Sequence, residues 1–299
     1  MPYRGTGVNI KDVIIIGAGP SGIAAAIQLK RYGINPVVLE KETIGGILKN
    51  ANLVENYPGF PCGIRGTELV KLFKNQLENS GVKVYFEEAL ELDYRNELFI
   101  VNTPQRTLSC RIAVIASGTI PRKLSIPDIS RDTCTRIFYD ISPLTQVANK
   151  KIAIVGAGDL AFDYALNLSK RNNVIILNRG EKIKCLPLLR ERTANSEKIF
   201  YQENTRIKKI KNQGDELILT CDHPTGEREI FVHCLVVAIG RDPCLDFLSS
   251  DLERNLNQLQ KLKKLYMIGD VKNDIYRQTA ISVGDGIKAA MEISRKLRG

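Results

Sequence analysis

Three glycines near the start of the chain are spaced as in a turn that binds the pyrophosphate of a dinucleotide. Gly17, Gly19 and Gly22 form the pattern G-x-G-x-x-G, and Glu40 follows Gly22 by 18 residues. The first glycine allows a tight turn, the second lets a phosphate approach the backbone, and the third lets a helix pack closely on a strand. An acid about 20 residues further on is suited to binding a ribose. The spacing therefore predicts a dinucleotide site.

The pattern returns 139 residues later. Gly156, Gly158 and Ala161 have the spacing G-x-G-x-x-A, with Asp159 and Leu160 within the turn. A second dinucleotide site is therefore predicted in the same chain. The alternative is a fold that is retained without binding a nicotinamide nucleotide.

The residue that matches Glu40 in this second unit is Asn178, with Arg179 beside it and Lys184 five residues further on. A carboxylate at that position would bind both ribose hydroxyls and repel a 2′-phosphate. Its absence, together with the nearby cations, favours NADP over NAD. A surface arginine with no ligand is the alternative.

Each glycine turn needs a buried strand before it and a helix after it. Residues 13–16 are a continuous apolar run, as expected of a strand buried on both faces, and residues 21–32 and 37–39 are predicted as the following helix and strand. Further strands are predicted at residues 111–116, 234–239 and 265–268, and a closing helix from near Thr279. The order of elements predicts an α/β fold with two Rossmann-like, three-layer nucleotide-binding domains, one inserted in the other.

Composition is that of a soluble globular protein, with 43% apolar and 25% charged residues among 299. No apolar run is long enough to span a membrane, and residues 1–13 lack the apolar segment of a secretory signal. The net charge of +10 fits nucleic acid, a membrane surface, or an acidic protein or phosphate ligand. Because the basic residues are dispersed and no nucleic-acid module accompanies them, we expect an acidic partner rather than nucleic acid or membrane.

The seven cysteines are irregularly spaced and include no C-x-x-C pair. This argues against a disulfide framework and against a metal site, and it fits a cytoplasmic location. With only two histidines in the chain, histidine-based catalysis is not expected.

Together these motifs resemble the low-molecular-weight thioredoxin reductase family of FAD-dependent pyridine-nucleotide oxidoreductases, which includes ferredoxin–NADP reductases of the thioredoxin-reductase type. The resemblance spans nearly the whole chain and includes the stretch VENYPG at residues 54–59 and YRQ at residues 276–278. It implies an FAD-binding domain formed by residues 1–119 and 241–299, and an NAD(P)-binding domain formed by residues 120–240. It also implies a homodimer.

The family's cofactor positions are carried over residue by residue. The FAD set is Gly17, Ala18, Gly19, Pro20, Ser21, Gly22, Glu40, Lys41, Gly45, Gly46, Ile47, Leu48, Asn56, Ser117, Gly118, Gly269, Asp270, Arg277, Gln278 and Thr279. The NADP set is Gly156, Gly158, Asp159, Leu160, Ala161, Asn178, Arg179 and Lys184. One departure is Ile47, where the family usually has glutamine.

The main departure is the redox C-x-x-C of the family, which is absent. Tyr139 and Ser142 stand where the two cysteines would be, and Cys134 lies nearby without a partner. We interpret Cys134 as a buried small residue, and Tyr139 as either a stacking partner for the flavin or a space-filling side chain. A relay from flavin to an internal disulfide is therefore excluded.

The function expected from this resemblance is an oxidoreductase that passes electrons from NAD(P)H, with NADPH favoured over NADH, through FAD to an external acceptor. Ferredoxin, flavodoxin and a small molecule are candidate acceptors, an acidic carrier being favoured by the basic net charge. Two alternatives are a flavoprotein reduced by ferredoxin or another donor without nicotinamide, and a non-catalytic FAD-binding subunit.

Overall fold

The computed structural model describes residues 10–299, so the predicted lack of a secretory signal concerns mainly residues outside the described chain. Two compact units are present. The split unit is formed by residues 10–49, 55–120 and 243–299, and the inserted unit by residues 50–54 and 121–242. From the sequence, we predicted that the chain passes between the two domains after residues 119 and 240. The inclusion of residues 50–54 in the inserted unit was not predicted.

Seventeen strands form the sheets of the described chain. In chain order they are β1 (Lys11–Ile16), β2 (Val37–Leu39), β3 (Val84–Tyr85), β4 (Glu91–Arg95), β5 (Leu98–Asn102), β6 (Thr107–Ile115), β7 (Thr119–Pro121), β8 (Ile137–Phe138), β9 (Lys151–Val155), β10 (Asn173–Leu177), β11 (Ile199–Gln202), β12 (Arg206–Gln213), β13 (Glu216–Asp222), β14 (Arg228–Val232), β15 (Cys234–Val237), β16 (Arg241–Pro243) and β17 (Leu265–Met267).

Seven α-helices lie between or after these strands within residues 10–299. They are α1 (Pro20–Arg31), α2 (Gly66–Asn79), α3 (Arg131–Cys134), α4 (Asp159–Leu168), α5 (Pro187–Ala194), α6 (Ser250–Lys261) and α7 (Thr279–Arg298). Short 3₁₀ turns lie at Gly46–Asn50, Ser142–Leu144 and Gly269–Val271.

The split unit is built on a seven-stranded sheet. Strands β3, β2, β1, β6 and β17 are parallel. The antiparallel hairpin of β4 and β5 pairs with the first half of β6, whereas β17 pairs with the second half. Residues Val13, Ile14 and Ile15 of β1 have no exposed surface, because alternate side chains enter the layers on both faces. The continuous apolar run read from the sequence is therefore a doubly covered central strand.

The inserted unit has three layers. Its parallel sheet has the order β11, β10, β9, β15, β8, and a separate antiparallel sheet contains β12, β13 and β14. On β9, Ile152 and Ile154 face a core shared with α4, whereas Ala153 and Val155 face a core shared with the antiparallel sheet. The three-layer α/β class predicted from the sequence is confirmed, and the antiparallel layer was not foreseen.

The predicted elements around the glycine turns agree closely with the observed ones. The closing helix begins at Thr279 as predicted, and α1 and β2 match their predicted bounds to within one residue. Among the described residues, none of the helices is both long and apolar enough to cross a membrane.

Candidate functional site

The first glycine turn joins β1 to α1 by direct backbone contact. Gly17 has φ +107°, and a Cβ added there would lie 2.3 Å from the carbonyl oxygen of Ala116. A Cβ on Gly22 would lie 2.0 Å from the carbonyl oxygen of Gly17. In contrast, a Cβ on Gly19 would meet nothing within 4 Å. Two glycines are thus required by close packing, and the third borders open space of the kind a pyrophosphate needs.

Glu40 lies at the carboxyl end of β2 and is 9% exposed. Its carboxylate accepts hydrogen bonds from the backbone N–H of Ala18 at 2.8 Å and of Glu42 at 2.9 Å. These bonds fix the side chain at the mouth of a cavity of about 260 Å³, which Lys41 also lines. A carboxylate at that position, with a free lone pair on each oxygen, is suited to binding ribose hydroxyls.

Two segments that the sequence did not point to complete this cavity. Residues 87–90 approach from the end of β3, and residues 244, 246 and 247 follow β16. The Ser117 hydroxyl donates to the carbonyl of Cys244 at 2.6 Å, and the N–H of Cys244 donates to the carbonyl of Gly118 at 3.0 Å. Ser117 and Gly118 therefore tie the wall of the cavity to the end of β6.

A loop after β2 lies against the first glycine turn. The N–H of Gly45 donates to the carbonyl of Ala18 at 2.8 Å, and Gly45 has φ +95° with Val70 2.6 Å from where its Cβ would be. The neighbouring Leu48 is buried, whereas Ile47 is 38% exposed. The structure thus brings the 45–48 segment to the same edge of the sheet as the glycine turn.

The turn after β17 closes the site from the other end of the chain. Gly269 has φ +75°, and a Cβ there would lie 2.5 Å from the Ser21 hydroxyl oxygen. Asp270 accepts a hydrogen bond from the Ser282 hydroxyl at 3.2 Å, and its carbonyl accepts from Nε of Arg277 at 3.2 Å. The start of α1 and the start of α7 are therefore locked side by side around this turn.

Asn56 and Gln278 join the early and late parts of the chain. Nδ2 of Asn56 donates to Oε1 of Gln278 at 2.8 Å, immediately before α7 begins at Thr279. Asn56 and Gln278 are thus neighbours, as their common assignment to one cofactor requires. The open space at Gly19, the Glu40 carboxylate and the Asp270 turn fit an FAD molecule.

The second glycine turn repeats the backbone geometry of the first. Gly156 has φ +139°, and a Cβ there would lie 2.2 Å from the carbonyl oxygen of Ala238, while Gly158 borders open space. Ala161 is fully buried, and its Cβ would lie 3.5 Å from a Cβ added at Gly156. The side chain of Asp159 accepts from the N–H of Leu186 at 2.7 Å. Leu160 is partly buried against the core of the inserted unit.

Asn178 has a structural role at the end of β10. It is 7% exposed, its Nδ2 donates to the Tyr201 hydroxyl at 2.8 Å, and its Oδ1 accepts from the N–H of Gly180 at 3.3 Å. Arg179 and Lys184 are exposed, and neither side chain forms a hydrogen bond or ion pair within residues 10–299. Two unengaged cations therefore stand beside the turn, and the asparagine is held below the surface.

Ser142, one of the two residues predicted to stand at the family's cysteine positions, belongs to a hydrogen-bonded polar group. The Ser142 hydroxyl donates to Oδ1 of Asn50 at 2.7 Å, and Nδ2 of Asn50 donates to Asp140 at 2.7 Å. The backbone N–H of Ser142 also donates to Asp140, at 2.6 Å. This group carries no sulfur and no electron-accepting function, so it does not replace a disulfide chemically.

Tyr139 packs within the inserted unit. Its hydroxyl accepts from the N–H of Leu124 at 3.3 Å, and Nζ of Lys123 lies 4.3 Å from the ring centroid. The ring contacts the apolar core that includes Val155 and Leu219. These contacts are those of a space-filling side chain, and stacking on a flavin stays a prediction.

Cys134 is exposed at the end of α3, so its interpretation as a buried residue was wrong. The short helix ends at this residue, which leaves the side chain outside the core that Thr133 enters. The sequence could not locate this boundary because a four-residue helix has no apolar period.

Two ionisable side chains of this unit have raised pKa values. Burial raises the pKa of Asp163 to about 6, although its Oδ2 accepts a hydrogen bond from the N–H of Asn52 at 2.9 Å. Burial and the nearby Asp140 carboxylate raise the pKa of Tyr164 well above its ordinary value. Both shifts follow from desolvation, which disfavours the charged form.

Comparison with known proteins agrees with this geometry. The pyridine nucleotide-disulphide oxidoreductase family matches residues 11–286. A thioredoxin reductase of Chlamydia pneumoniae is 31% identical over 309 aligned residues, which cover 95% of this chain and 98% of that protein. Solved thioredoxin reductases of Lactococcus lactis and T. acidophilum are each 26% identical. Their TM-scores are 0.85 and 0.83, and the matches cover 95% and 96% of this chain and 98% and 99% of theirs.

The matched residues include both glycine turns and nearly the whole described chain. The chain therefore belongs to the pyridine nucleotide-disulphide oxidoreductase family and is a thioredoxin-reductase-like FAD oxidoreductase.

Proposed function

We propose that this protein takes electrons from NADPH and delivers them through FAD directly to an acceptor outside the chain. The observation that supports the proposal is the lack of a C-x-x-C pair in the sequence, with Tyr139 and Ser142 at the positions predicted for the two cysteines. When bound, FAD supplies the redox chemistry, accepting a hydride from the nicotinamide and releasing its two electrons to the acceptor. The split unit holds FAD and the inserted unit holds the nicotinamide nucleotide.

The protein's own contribution is binding and orientation. The turn at Gly17–Gly22 and the N-terminus of α1 stabilise a pyrophosphate, and Glu40 fixes the adenosine ribose. Backbone N–H groups at the start of α7 have no side-chain cap and stabilise negative charge at the pyrimidine edge of the flavin.

The preference for NADPH is supported by the charges around the second turn. Arg179 and Lys184 are exposed and unengaged within the described chain, and the residue that matches Glu40 at the end of β10 is Asn178 rather than a carboxylate that would repel a 2′-phosphate. Charge-assisted bonds from guanidinium to phosphate are among the stronger hydrogen bonds in proteins.

The test is an anaerobic titration of the purified flavoprotein with NADPH and NADH, followed by flavin absorbance. We expect stoichiometric bleaching by NADPH. Arg179→Ala should weaken the binding of NADPH at least tenfold and leave the binding of NADH unchanged, since one charge-assisted bond contributes about 1.4 kcal/mol or more. Lys198→Ala is the matched control, because the exposed Lys198 precedes β11 at the amino end of the parallel strands, whereas Arg179 follows the carboxyl end of β10.

The acceptor is proposed to be an acidic electron carrier of the ferredoxin or flavodoxin kind, supported by the net charge of +10. A homodimer in the cytoplasm is proposed by analogy with the family. If the protein reduces an acidic carrier at a rate that falls steeply with added salt, this acceptor is supported. If it reduces only a small quinone, this acceptor is contradicted.

One observation favours a second candidate function, a flavoprotein that does not use nicotinamide. Asn178 is fully engaged in internal hydrogen bonds, so only Arg179 and Lys184 are left to recognise a 2′-phosphoribose. If neither nucleotide bleaches the flavin while reduced ferredoxin does, this second function is the correct one.

A further inference from the structure

Asp285 lies in the second turn of α7 and reaches back to the turn after β17. Its Oδ2 accepts hydrogen bonds from the backbone N–H of Gly269 at 3.1 Å and from Nδ2 of Asn273 at 2.7 Å. Its Oδ1 accepts from Nζ of Lys272 at 3.2 Å. The carboxylate is 15% exposed, so its bonds to Gly269 and Asn273 are partly buried, whereas the Lys272 side chain is 48% exposed.

These three partners lie on both sides of Asp270, which Asp285 does not itself bond. The intervening segment, Gly269–Val271, is a single 3₁₀ turn and includes Gly269 at φ +75°. Its internal backbone hydrogen bond runs from the N–H of Lys272 to the carbonyl of Gly269 at 3.0 Å. Besides the bonds of Ser282 and Arg277 to Asp270, the turn is held by the Asp285 carboxylate, which bonds residues on both sides of Asp270.

A role in helix capping does not explain this side chain. The N-cap of α7 is Gln278, and Asp285 is the seventh residue of the helix, beyond the reach of the unpaired N–H groups of the first turn. The bonds of Asp285 point out of its own helix and toward residues 269–273.

We propose that Asp285 is a positioning residue for the flavin: it fixes the turn that presents Asp270 and so sets the affinity of the split unit for FAD. This rests on the assignment of Asp270 to the flavin site under the proposed function. Asn273 is its closest partner in the turn, and Lys272 balances its charge.

The experiment compares variants of the full chain after removal of bound flavin. FAD affinity is measured by the quenching of flavin fluorescence on binding, and the absorbance spectrum of the bound flavin is recorded. Asp285→Ala should raise the dissociation constant tenfold or more, because three bonds to one carboxylate are lost. Asp285→Asn keeps an oxygen for Gly269 and Asn273 and should bind within about threefold of wild type, a rescue that mere helix stability does not predict.

The matched control is Glu292→Ala, which removes another acid of α7 that pairs with Lys263 at 3.8 Å and does not touch the turn. It should leave the FAD affinity unchanged. If Asp285→Ala fails to fold, Asn273→Ala removes the 2.7 Å bond from the turn side and should still weaken FAD several-fold.

Wild-type affinity for Asp285→Ala, or for Asn273→Ala in its place, with an unchanged flavin spectrum would overturn the inference while leaving the proposed function intact. Failure of the wild-type chain to bind FAD would overturn both.

Discussion

Two glycines in the closing helix allow the packing of the split unit to be tested with one chemical change. Gly284 and Gly286 lie two residues apart on α7, on different sides of the helix. A Cβ on Gly286 would lie 2.2 Å from the carbonyl oxygen of Ser21 and 2.9 Å from the N–H nitrogen of Ala25, both on α1. A Cβ on Gly284 would meet nothing within 4 Å.

The magnitudes follow from this difference. Glycine to alanine inside a helix contributes about 1 kcal/mol of stability through helix propensity, and this gain applies to both positions. At Gly286 the new methyl group would have to move the backbone of α1 by about 1 Å, and overpacking of that kind costs roughly 1–3 kcal/mol or more. Gly284→Ala should therefore stabilise the protein by about 1 kcal/mol, and Gly286→Ala should be less stable than Gly284→Ala by about 1–3 kcal/mol.

The assay is thermal unfolding of both variants and wild type, followed by circular dichroism, with urea titration as a second measure. For a protein of this size, 1 kcal/mol corresponds to a shift of about 1–2 °C in Tm. The Gly286→Ala protein should also retain less FAD, because Ser21 lies in the first turn of α1. Equal Tm values for the two variants would refute the close contact of α1 with α7.

Three further predictions concern single residues. Lys263 follows α6 with φ 54°, and the N–H of Lys264 donates to the carbonyl of Leu259. Glycine adopts a positive φ at less cost than lysine, so Lys263→Gly should raise the free energy of unfolding, measured by urea titration, by about 0.5–1 kcal/mol. The hydroxyl of Tyr266 is buried without a hydrogen-bond partner in the described chain, so Tyr266→Phe should stabilise by about 1 kcal/mol; a lower Tm would show that the hydroxyl has a partner. Burial raises the pKa of Asp163 to about 6 from 3.8, so the folded state loses stability as pH rises through that interval. Asp163→Asn does not ionise, so its stability relative to wild type should increase by on the order of 2 kcal/mol between pH 4 and pH 7. The measurement is the difference in Tm between the two proteins at each pH. A pH-independent difference would contradict the last prediction.

Local spacing predicted the glycine turns because their geometry is a property of consecutive residues. Gly17 and Gly156 each face a backbone carbonyl at about the same distance, 2.3 Å and 2.2 Å from an added Cβ, and only glycine fits there. The first of these turns also indicated the bounds of α1 to within one residue. Where a close backbone contact allows only glycine, the residue type itself indicates the local structure.

Contacts between distant segments could not be predicted in this way. Residues 87–90 and 244–247 line the same cavity as Glu40, but nothing in their composition signals that they meet. Asp285 is likewise an ordinary helical acid in the sequence. The antiparallel layer was missed because β12 reads RIKKIKNQ, in which exposed lysines obscure the buried Ile207 and Ile210.

The order of the two units along the chain has a consequence for synthesis on the ribosome. The inserted unit is complete once residue 242 has emerged, whereas the sheet of the split unit lacks β17, and α1 lacks its partner helix, until residues 265–298 follow. Since domains fold as units during synthesis, the inserted unit should fold before the split unit. We expect a chain truncated before residue 265 to fold its inserted unit and to bind no FAD, because it has neither the Asp270 turn nor α7.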